Sequence, residues 1–177
     1  MSDIEDLAHA EARDLAFSLT NVDVAGACTS AVRAAGIEGT RRIELQLDES
    51  VTARTDETRL RQILVNLLTN ADRHTPSEGT ITVRATKANQ SAVIAVHNSG
   101  SSLEPGELDR VFDRFYRVDP SRQRASGGRG LGLAIVKHLV EAQSGTVTAK
   151  SDDNGVTFEV TLPAGATIAT THHRPAP

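Results

Sequence analysis

Amide and basic side chains recur at helical spacing in the longest amphipathic stretch of the chain. Gln62, Asn66, Asn70 and Arg73 fall on one side of a predicted helix, beside an apolar side that is rich in leucine. Buried amides are costly without hydrogen-bond partners, so Asn66 and Asn70 need either a partner or a ligand. A face turned to water is the simpler interpretation of this stripe on its own.

A run of glycines leads directly into a second predicted helix that begins near Leu131. Glycines at that position let backbone N–H groups approach an anion, so phosphate binding is the functional interpretation and a flexible linker the alternative. Two familiar phosphate loops are excluded by spacing. A Walker loop requires a lysine where Leu133 stands, and a dinucleotide fingerprint requires a preceding strand and a third glycine at that position.

The segment before these glycines is rich in arginine and follows a group of aromatic residues. A guanidinium group suits phosphate oxygens, although a solvated basic loop is the simpler interpretation of any single arginine. The aromatic residues either hold the base of a moving loop against the domain or pack in the core. The arginines are Arg117, Arg122, Arg124 and Arg129, and the aromatic residues are Phe112, Phe115 and Tyr116.

The composition is that of one globular domain. The chain has 177 residues, of which 38% are hydrophobic and 24% charged, and its net charge of −4 does not favour a nucleic-acid partner. Its single cysteine, Cys28, cannot form an internal disulfide. The first ten residues lack the features of a signal peptide, and no apolar run approaches the roughly 18 residues that a membrane span requires. We therefore expect a cytoplasmic protein without membrane insertion.

Hydrophobic periodicity predicts helices that alternate with pairs of strands. This order indicates an α/β two-layer sandwich in which helices cover one face of a mixed sheet. Helices are predicted over 3–16, 23–35, 56–73, 105–115 and 131–143. Strand pairs are predicted for 42–47 with 51–54, 80–86 with 92–96, and 146–150 with 156–162. Residues 117–130 are predicted to form a mobile loop, and 164–177 a disordered tail.

Four motifs in the chain resemble those of one family. Residues 64–76 resemble the N box of sensor histidine kinases, 112–117 the F box and 128–133 the G2 box, while 96–102 stand where the G1 box belongs. They occur in the family's order over roughly 40–163. The resemblance implies the Bergerat fold of the GHKL superfamily, with about five strands, about three helices and an ATP lid at 117–130. It also implies that 1–16 are a remnant of a dimerisation-hairpin helix and that 20–163 form the ATP-binding domain.

The same resemblance assigns Mg²⁺ and ATP binding to particular residues. Asn70 would hold Mg²⁺ through its side-chain oxygen, Asn66 would support it from one turn earlier, and Arg117 would complete the catalytic set. Arg73 would reach the phosphates. His74 stands where the family has an aromatic ring, and it would either stack on the nucleotide or lie in cationic form at the helix C-terminus. The further nucleotide-binding candidates are Asn98, Gly100, Ser102, Tyr116, Gly128, Arg129, Gly130, Leu131, Gly132, Leu133 and Thr157.

The chain departs from the family's G1 pattern at two of these positions, and it differs from gyrase-type relatives at Asn66. The family's G1 box carries an aspartate that accepts a hydrogen bond from adenine, whereas this chain has Asn98 there, and it has Ser102 in place of a glycine. Because an amide can donate as well as accept, we predict weaker ATP binding and poorer rejection of GTP. Asn66 replaces the glutamate that activates water in gyrase-type relatives, so we expect slow hydrolysis.

The chain also lacks the family's phosphoacceptor motif, since none of its six histidines matches a His-Glu pair followed by a short turn to proline. The resemblance therefore implies a protein-histidine kinase domain that phosphorylates a histidine on a separate protein, upstream of a response regulator. We expect a monomer, either a natural catalytic subunit or a fragment of a larger kinase, with the starting Met and the long tail favouring the subunit. An anti-sigma-type serine kinase and a non-catalytic nucleotide-gated module are the alternatives.

Overall fold

Three helices cover one face of a five-stranded mixed sheet in the computed structural model, which describes residues 17–39, 41–117 and 130–166. The elements in chain order are β1 Thr20–Asp23, α1 Val24–Ala35, β2 Arg42–Leu47, β3 Thr52–Thr55, α2 Glu57–His74, β4 Thr80–Ala88, β5 Ser91–Ser99, a 3₁₀ turn Arg110–Phe112, α3 Gly132–Glu141, β6 Thr146–Asp152 and β7 Gly155–Pro163. The predicted fold class is confirmed.

The sheet has the strand order β2-β4-β5-β7-β6, in which β2 runs parallel to β4 and every other neighbour is antiparallel. Alternate residues of β5 are buried, as expected for a strand with one face against the core. The core lies between this face and the apolar sides of the helices. Its largest fully buried side chains include Leu60, Ile63, Leu64, Leu67 and Leu68 of α2.

Local signals set the ends of the helices as predicted. Asp23 caps α1 by accepting a hydrogen bond from the backbone N–H of Ala25 at 3.0 Å, and Gly36 ends it with a φ of 66°. Asp56 caps α2 by accepting from the N–H of Arg59, and the helix ends just before Pro76. The predicted pairs 80–86 with 92–96 and 146–150 with 156–162 are also confirmed, with slightly longer strands.

The predicted pairing of 42–47 with 51–54 is wrong. β2 pairs in parallel with β4, and β3 pairs with β1 in a separate two-stranded sheet. The turn between the two segments does form, since the N–H of Val51 donates to the carbonyl of Asp48 at 3.1 Å. The strands nevertheless diverge, because Ile43 finds its apolar neighbour at Ile81 rather than across the turn. Alternation along a strand identifies its buried face but not its partner.

The predicted helix over 105–115 is also wrong. Residues 105–109 form turns, and only the 3₁₀ turn at Arg110–Phe112 follows them. Phe115 has a φ of 62°, which a right-handed helix does not allow. The apolar residues that suggested a helix do not share one buried face, since Val111 and Phe112 are buried whereas Phe115 is 66% exposed.

The first three residues of the predicted tail are held against the domain. The N–H of Gly165 donates to the carbonyl of Thr52 at 2.9 Å, and the N–H of Ala166 donates to Oδ1 of Asn21 at 3.2 Å. A disordered tail therefore does not begin at 164. The rest of that tail and the predicted helix 3–16 lie outside the described residues. No helix in 17–39, 41–117 or 130–166 has the length and apolar character that crossing a bilayer requires.

Candidate functional site

A cavity of about 270 Å³ opens between α2, the end of β5 and the start of α3. The structure brings most of the predicted site residues to it. The side chains and backbone that line it belong to Asn66, Thr69, Asn70, Arg73, His74, Asn98, Ser101, Ser102, Leu103, Val111, Tyr116, Arg117, Gly130, Leu131, Gly132, Leu133, Ile135, Val156 and Phe158.

The polar stripe of α2 supplies one wall of this cavity. Asn66, Asn70 and Arg73 all line it, while Gln62 does not and instead accepts a hydrogen bond from Nη1 of Arg59 at 3.2 Å. Within the described part of the chain, no hydrogen bond engages the side-chain amide of Asn66 or Asn70. These amides are therefore available to a ligand in the cavity. The structure thus favours the ligand-binding interpretation of the stripe over a face turned only to water.

Apolar side chains form much of the opposite wall, and a single buried amide lies among them. Asn98 is 1% exposed, and its Nδ2 donates to Oγ of Ser101 at 2.5 Å. No group in the described ranges donates to its Oδ1. The apolar wall consists of Leu103, Val111, Leu131, Ile135, Val156 and Phe158. A flat apolar ring with one polar edge would fit such a surface.

The two ends of the predicted lid meet at the mouth of the cavity. The N–H of Phe115 donates to the carbonyl of Gly130 at 3.0 Å. Gly130 has a φ of 71°, and a Cβ there would lie 3.0 Å from the carbonyl oxygen of Tyr116, so only glycine fits without strain. The residues between 117 and 130 lie outside the described part, including the predicted site residues Gly128 and Arg129 and the candidate arginines Arg122 and Arg124.

The three aromatic residues before the lid have separate roles. Phe112 packs edge-on against Phe158 with ring centroids 6.0 Å apart, and so belongs to the core. Tyr116 lines the cavity, with the guanidinium of Arg110 4.5 Å from its ring centroid and its hydroxyl 3.4 Å from Oε1 of Glu107. Core packing thus accounts for Phe112, whereas Tyr116 lines the cavity and Phe115 is exposed.

Of three further predicted residues, only one lines the cavity. Ser102 lines the cavity, whereas Gly100 lies beside it with a φ of 79° and packs so closely on the ring of Pro76 that a Cβ would be 2.7 Å from it. Thr157 is not in the cavity, and its assignment to nucleotide contact is corrected. It lies between Val156 and Phe158 on the opposite face of β7, where its Oγ1 is 3.0 Å from Nδ1 of His97.

His74 lines the cavity, and its surroundings favour the neutral imidazole. Burial lowers the pKa of this imidazole below its ordinary value of 6.5, and the neighbouring charge of Arg73 lowers it further. The alternative in which a cationic His74 lies at the helix C-terminus is therefore disfavoured.

A buried amide fixes α3 against the start of α2. Oε1 of Gln143 accepts from Oγ1 of Thr55 at 2.7 Å and from the N–H of Asp56 at 2.8 Å, and its Nε2 donates to the carbonyl of Leu139 at 2.9 Å. The two helices that line the cavity are thereby tied together at the end of α3.

Several lining residues were not predicted from the sequence. Thr69 lies one helical turn after Asn66, so the periodicity of the stripe was a usable signal for it. Ser101 lies three residues after Asn98, but nothing in the sequence indicates that their side chains meet. The apolar members of the cavity have the same sequence pattern as ordinary core residues and are not distinguishable from them.

Comparison with known proteins gives consistent matches. The model of the family described as "Histidine kinase-, DNA gyrase B-, and HSP90-like ATPase" matches residues 55–166. The sensor histidine kinase CusS of Escherichia coli (strain K12) is 51% identical over 109 residues, which cover 62% of this chain and 23% of CusS. The chain thus spans about a quarter of the curated relatives it matches.

Solved structures share the fold. Full-length ShkA in complex with AMPPNP superposes with a TM-score of 0.78 and 27% identity, covering 94% of this chain and 35% of that one. The histidine kinase ThkA in complex with the response regulator protein TrrA superposes with a TM-score of 0.76 and 19% identity, covering 91% of this chain and 46% of that one. Because this second identity is low, that match concerns the fold alone.

Proposed function

The chain belongs to the family of histidine kinase-, DNA gyrase B- and HSP90-like ATPases, and from this membership we propose that it is the ATP-binding catalytic domain of a protein-histidine kinase. The observation that carries the proposal is the meeting of three amides, Asn66, Asn70 and Asn98, in one cavity whose mouth holds both ends of the lid. None of these amides is fully used by hydrogen bonds within the described residues.

The walls of the cavity suit the two ends of a nucleoside triphosphate, the base and the phosphates. The apolar wall and Asn98 would take the purine base, while Arg73, Arg117 and the first N–H groups of α3 would take the phosphates. The side-chain oxygen of Asn70 is a suitable hard ligand for Mg²⁺, with Asn66 beside it. The described residues hold no cluster of three or more His, Cys, Asp and Glu side chains, so Asn70 would share the ion with phosphates and water.

The cavity favours phosphoryl transfer over hydrolysis. When bound, Mg–ATP supplies the phosphoryl group, and the chain contributes positioning and charge neutralisation through Asn70, Arg73 and Arg117. No carboxylate is present among the described residues that line the cavity, so none of them can activate water as a glutamate does. Slow hydrolysis leaves the phosphoryl group for an external nucleophile.

We propose as that nucleophile a histidine on a separate phosphoacceptor protein; none of the six histidines within residues 1–177 matches the acceptor motif. A response regulator would then receive the phosphoryl group; the histidine kinase ThkA has been solved in complex with such a protein, TrrA. The domain would comprise 20–163 and act as a monomer in the cytoplasm, with 1–16 as the remnant of a dimerisation-hairpin helix.

Transfer of label from γ-³²P-ATP to isolated dimerisation domains of sensor kinases tests the proposal. We expect label on a partner domain that is lost in acid, as phosphohistidine requires. Asn70→Ala should abolish transfer, because it removes the proposed Mg²⁺ ligand. Gln62→Ala is the matched control, since it truncates an amide on the same helix that lies outside the cavity.

The alternatives give different results in this assay. Acid-stable label would identify a serine kinase of the anti-sigma type. Intact ATP binding with no transfer to any partner domain would identify a nucleotide-gated interaction module. Failure to bind Mg–ATP at all would overturn both the kinase and the module.

A further inference from the structure

We propose that Asn98 and Ser101 form a reversible hydrogen-bond pair that lets the site accept guanine as well as adenine nucleotides. The proposal rests on the nucleotide-binding function proposed above and names the substrate class of the same cavity. Its basis is the hydrogen bond between the buried amide of Asn98 and the hydroxyl of Ser101, both of which line the cavity beside apolar side chains.

The position of Asn98 determines which polar group a purine base could contact on this wall of the cavity. Asn98 lies near the end of β5, paired in register with Ile81 on one side and Val156 on the other, and its side chain is buried. Within the described residues, Ser101 is the only hydrogen-bond partner of its side chain. A ring placed against Val156 and Phe158 would therefore meet the far end of this amide as its polar contact.

The chemistry of the pair allows two equivalent arrangements. In the structure, Nδ2 of Asn98 donates to Oγ of Ser101, so Oδ1 is the end of the amide that has no donor among the described residues. That oxygen can accept a hydrogen bond from the 6-amino group of adenine. Rotation of the amide by half a turn brings Nδ2 to the cavity, where it can donate to the 6-oxo group of guanine.

Ser101 makes the rotation inexpensive because a hydroxyl both donates and accepts. In the structure the hydroxyl oxygen accepts from Nδ2, and after rotation the hydroxyl hydrogen is donated to Oδ1. The end of the amide that contacts Ser101 keeps its hydrogen bond in both arrangements, so rotation does not leave that end unpaired. A carboxylate at position 98 has only acceptors and would be opposed to the 6-oxo group of guanine.

Calorimetric binding of Mg–ATP, Mg–GTP and Mg–ITP to the whole chain tests this. ITP carries the 6-oxo group without the 2-amino group of guanine, so its comparison with GTP removes the contribution of the 2-amino group. We expect the dissociation constants of ATP and ITP to differ by less than about tenfold. Asn98→Asp should weaken GTP and ITP by at least about tenfold relative to ATP, because the donor is removed.

Variants at Ser101 separate its role from simple structural support. Ser101→Asp presents only acceptors, so it should hold Nδ2 inward and shift the preference toward ATP. Ser101→Ala removes the partner of either amide end and should weaken both nucleotides with little change in their ratio. Ser101→Thr keeps a hydroxyl and should behave as the parent chain. Circular dichroism confirms that each variant is folded.

The outcomes distinguish this inference from the proposed function. Tight binding of ATP with a preference of more than about tenfold over both GTP and ITP overturns the reversible pair and leaves ATP binding intact. Equal nucleotide ratios in Ser101→Asp and Ser101→Ala overturn the role of Ser101. Failure of all three triphosphates to bind overturns the proposed function itself.

Discussion

Residues in the cavity differ in how far local pattern alone could identify them. Helical spacing placed Asn66, Asn70 and Arg73 on one side of a helix, but it also included Gln62, which lies outside the cavity, so the motif resemblance was needed to identify the site. Asn98 was found through a motif resemblance. The bond from Asn98 to Ser101 was not predictable, since it depends on the path of the chain after β5 ends. Thr157 was misplaced because strand alternation sends neighbouring side chains to opposite faces.

At this scale the state of His74 gives a prediction about pH. Since burial and Arg73 lower its pKa in the folded chain, the unfolded chain binds more protons in the range below pH 6.5. His74 should therefore disfavour folding as pH falls from about 6.5 through the lowered pKa, and it should have no such effect above that range. The stability of His74→Gln should fall less over the same interval, as measured by urea unfolding at successive pH values.

NMR titration of the His74 ring checks the cause directly. Its midpoint should lie below 6.5 and should move upward in Arg73→Gln, because the second of the two causes is removed while burial remains. A midpoint at or above 6.5 in the parent chain would contradict a neutral His74 at the cavity.

Among the elements, two were predicted wrongly for reasons that lie outside their own sequence. β2 and β3 have the alternation of a hairpin, but the apolar face of β2 finds β4, a long-range partner that a local turn signal cannot reveal. The predicted helix over 105–115 does not form: residues 105–109 are turns, only Arg110–Phe112 make a 3₁₀ turn, and Phe115 has a left-handed backbone. The capped helices α1 and α2 were predicted well, since their Asp caps and end residues act locally.

The base of the lid gives a prediction at the same scale. Gly130→Ala should lower the free energy of unfolding by about 1–2 kcal/mol, because it forces a side chain into the left-handed region and against the backbone of Tyr116. It should also weaken nucleotide binding, since both ends of the lid lie at the cavity. Urea unfolding and calorimetry measure the two effects.

Gly132→Ala is the matched control for that substitution. An added Cβ at Gly132 has no atom within 4 Å, and the residue begins α3, so alanine there should leave stability unchanged or raise it. Equal stability losses in the two variants would mean that the geometry of Gly130 is not what holds the lid base.

For the molecule as a whole, the segment after β7 contributes to stability. Truncation after Pro163 removes the hydrogen bonds of Gly165 and Ala166 to Thr52 and Asn21, and it should cost about 1–3 kcal/mol. Truncation after Ala166 keeps those bonds and should cost less.

The thiol of Cys28 is a convenient probe of this difference, because burial, with a contribution from Asp23, raises its pKa to about 12. It should react with thiol reagents only when the domain opens, and faster in the shorter chain.

The contact between Ala166 and Asn21 also has a consequence for protein engineering. The first and last described strands of the domain approach each other, so a short linker could join them and new termini could be opened in the hairpin turn between β4 and β5. Such a circular permutant should keep its cavity. The same proximity would allow the unit to be spliced into a host loop with little strain on either partner.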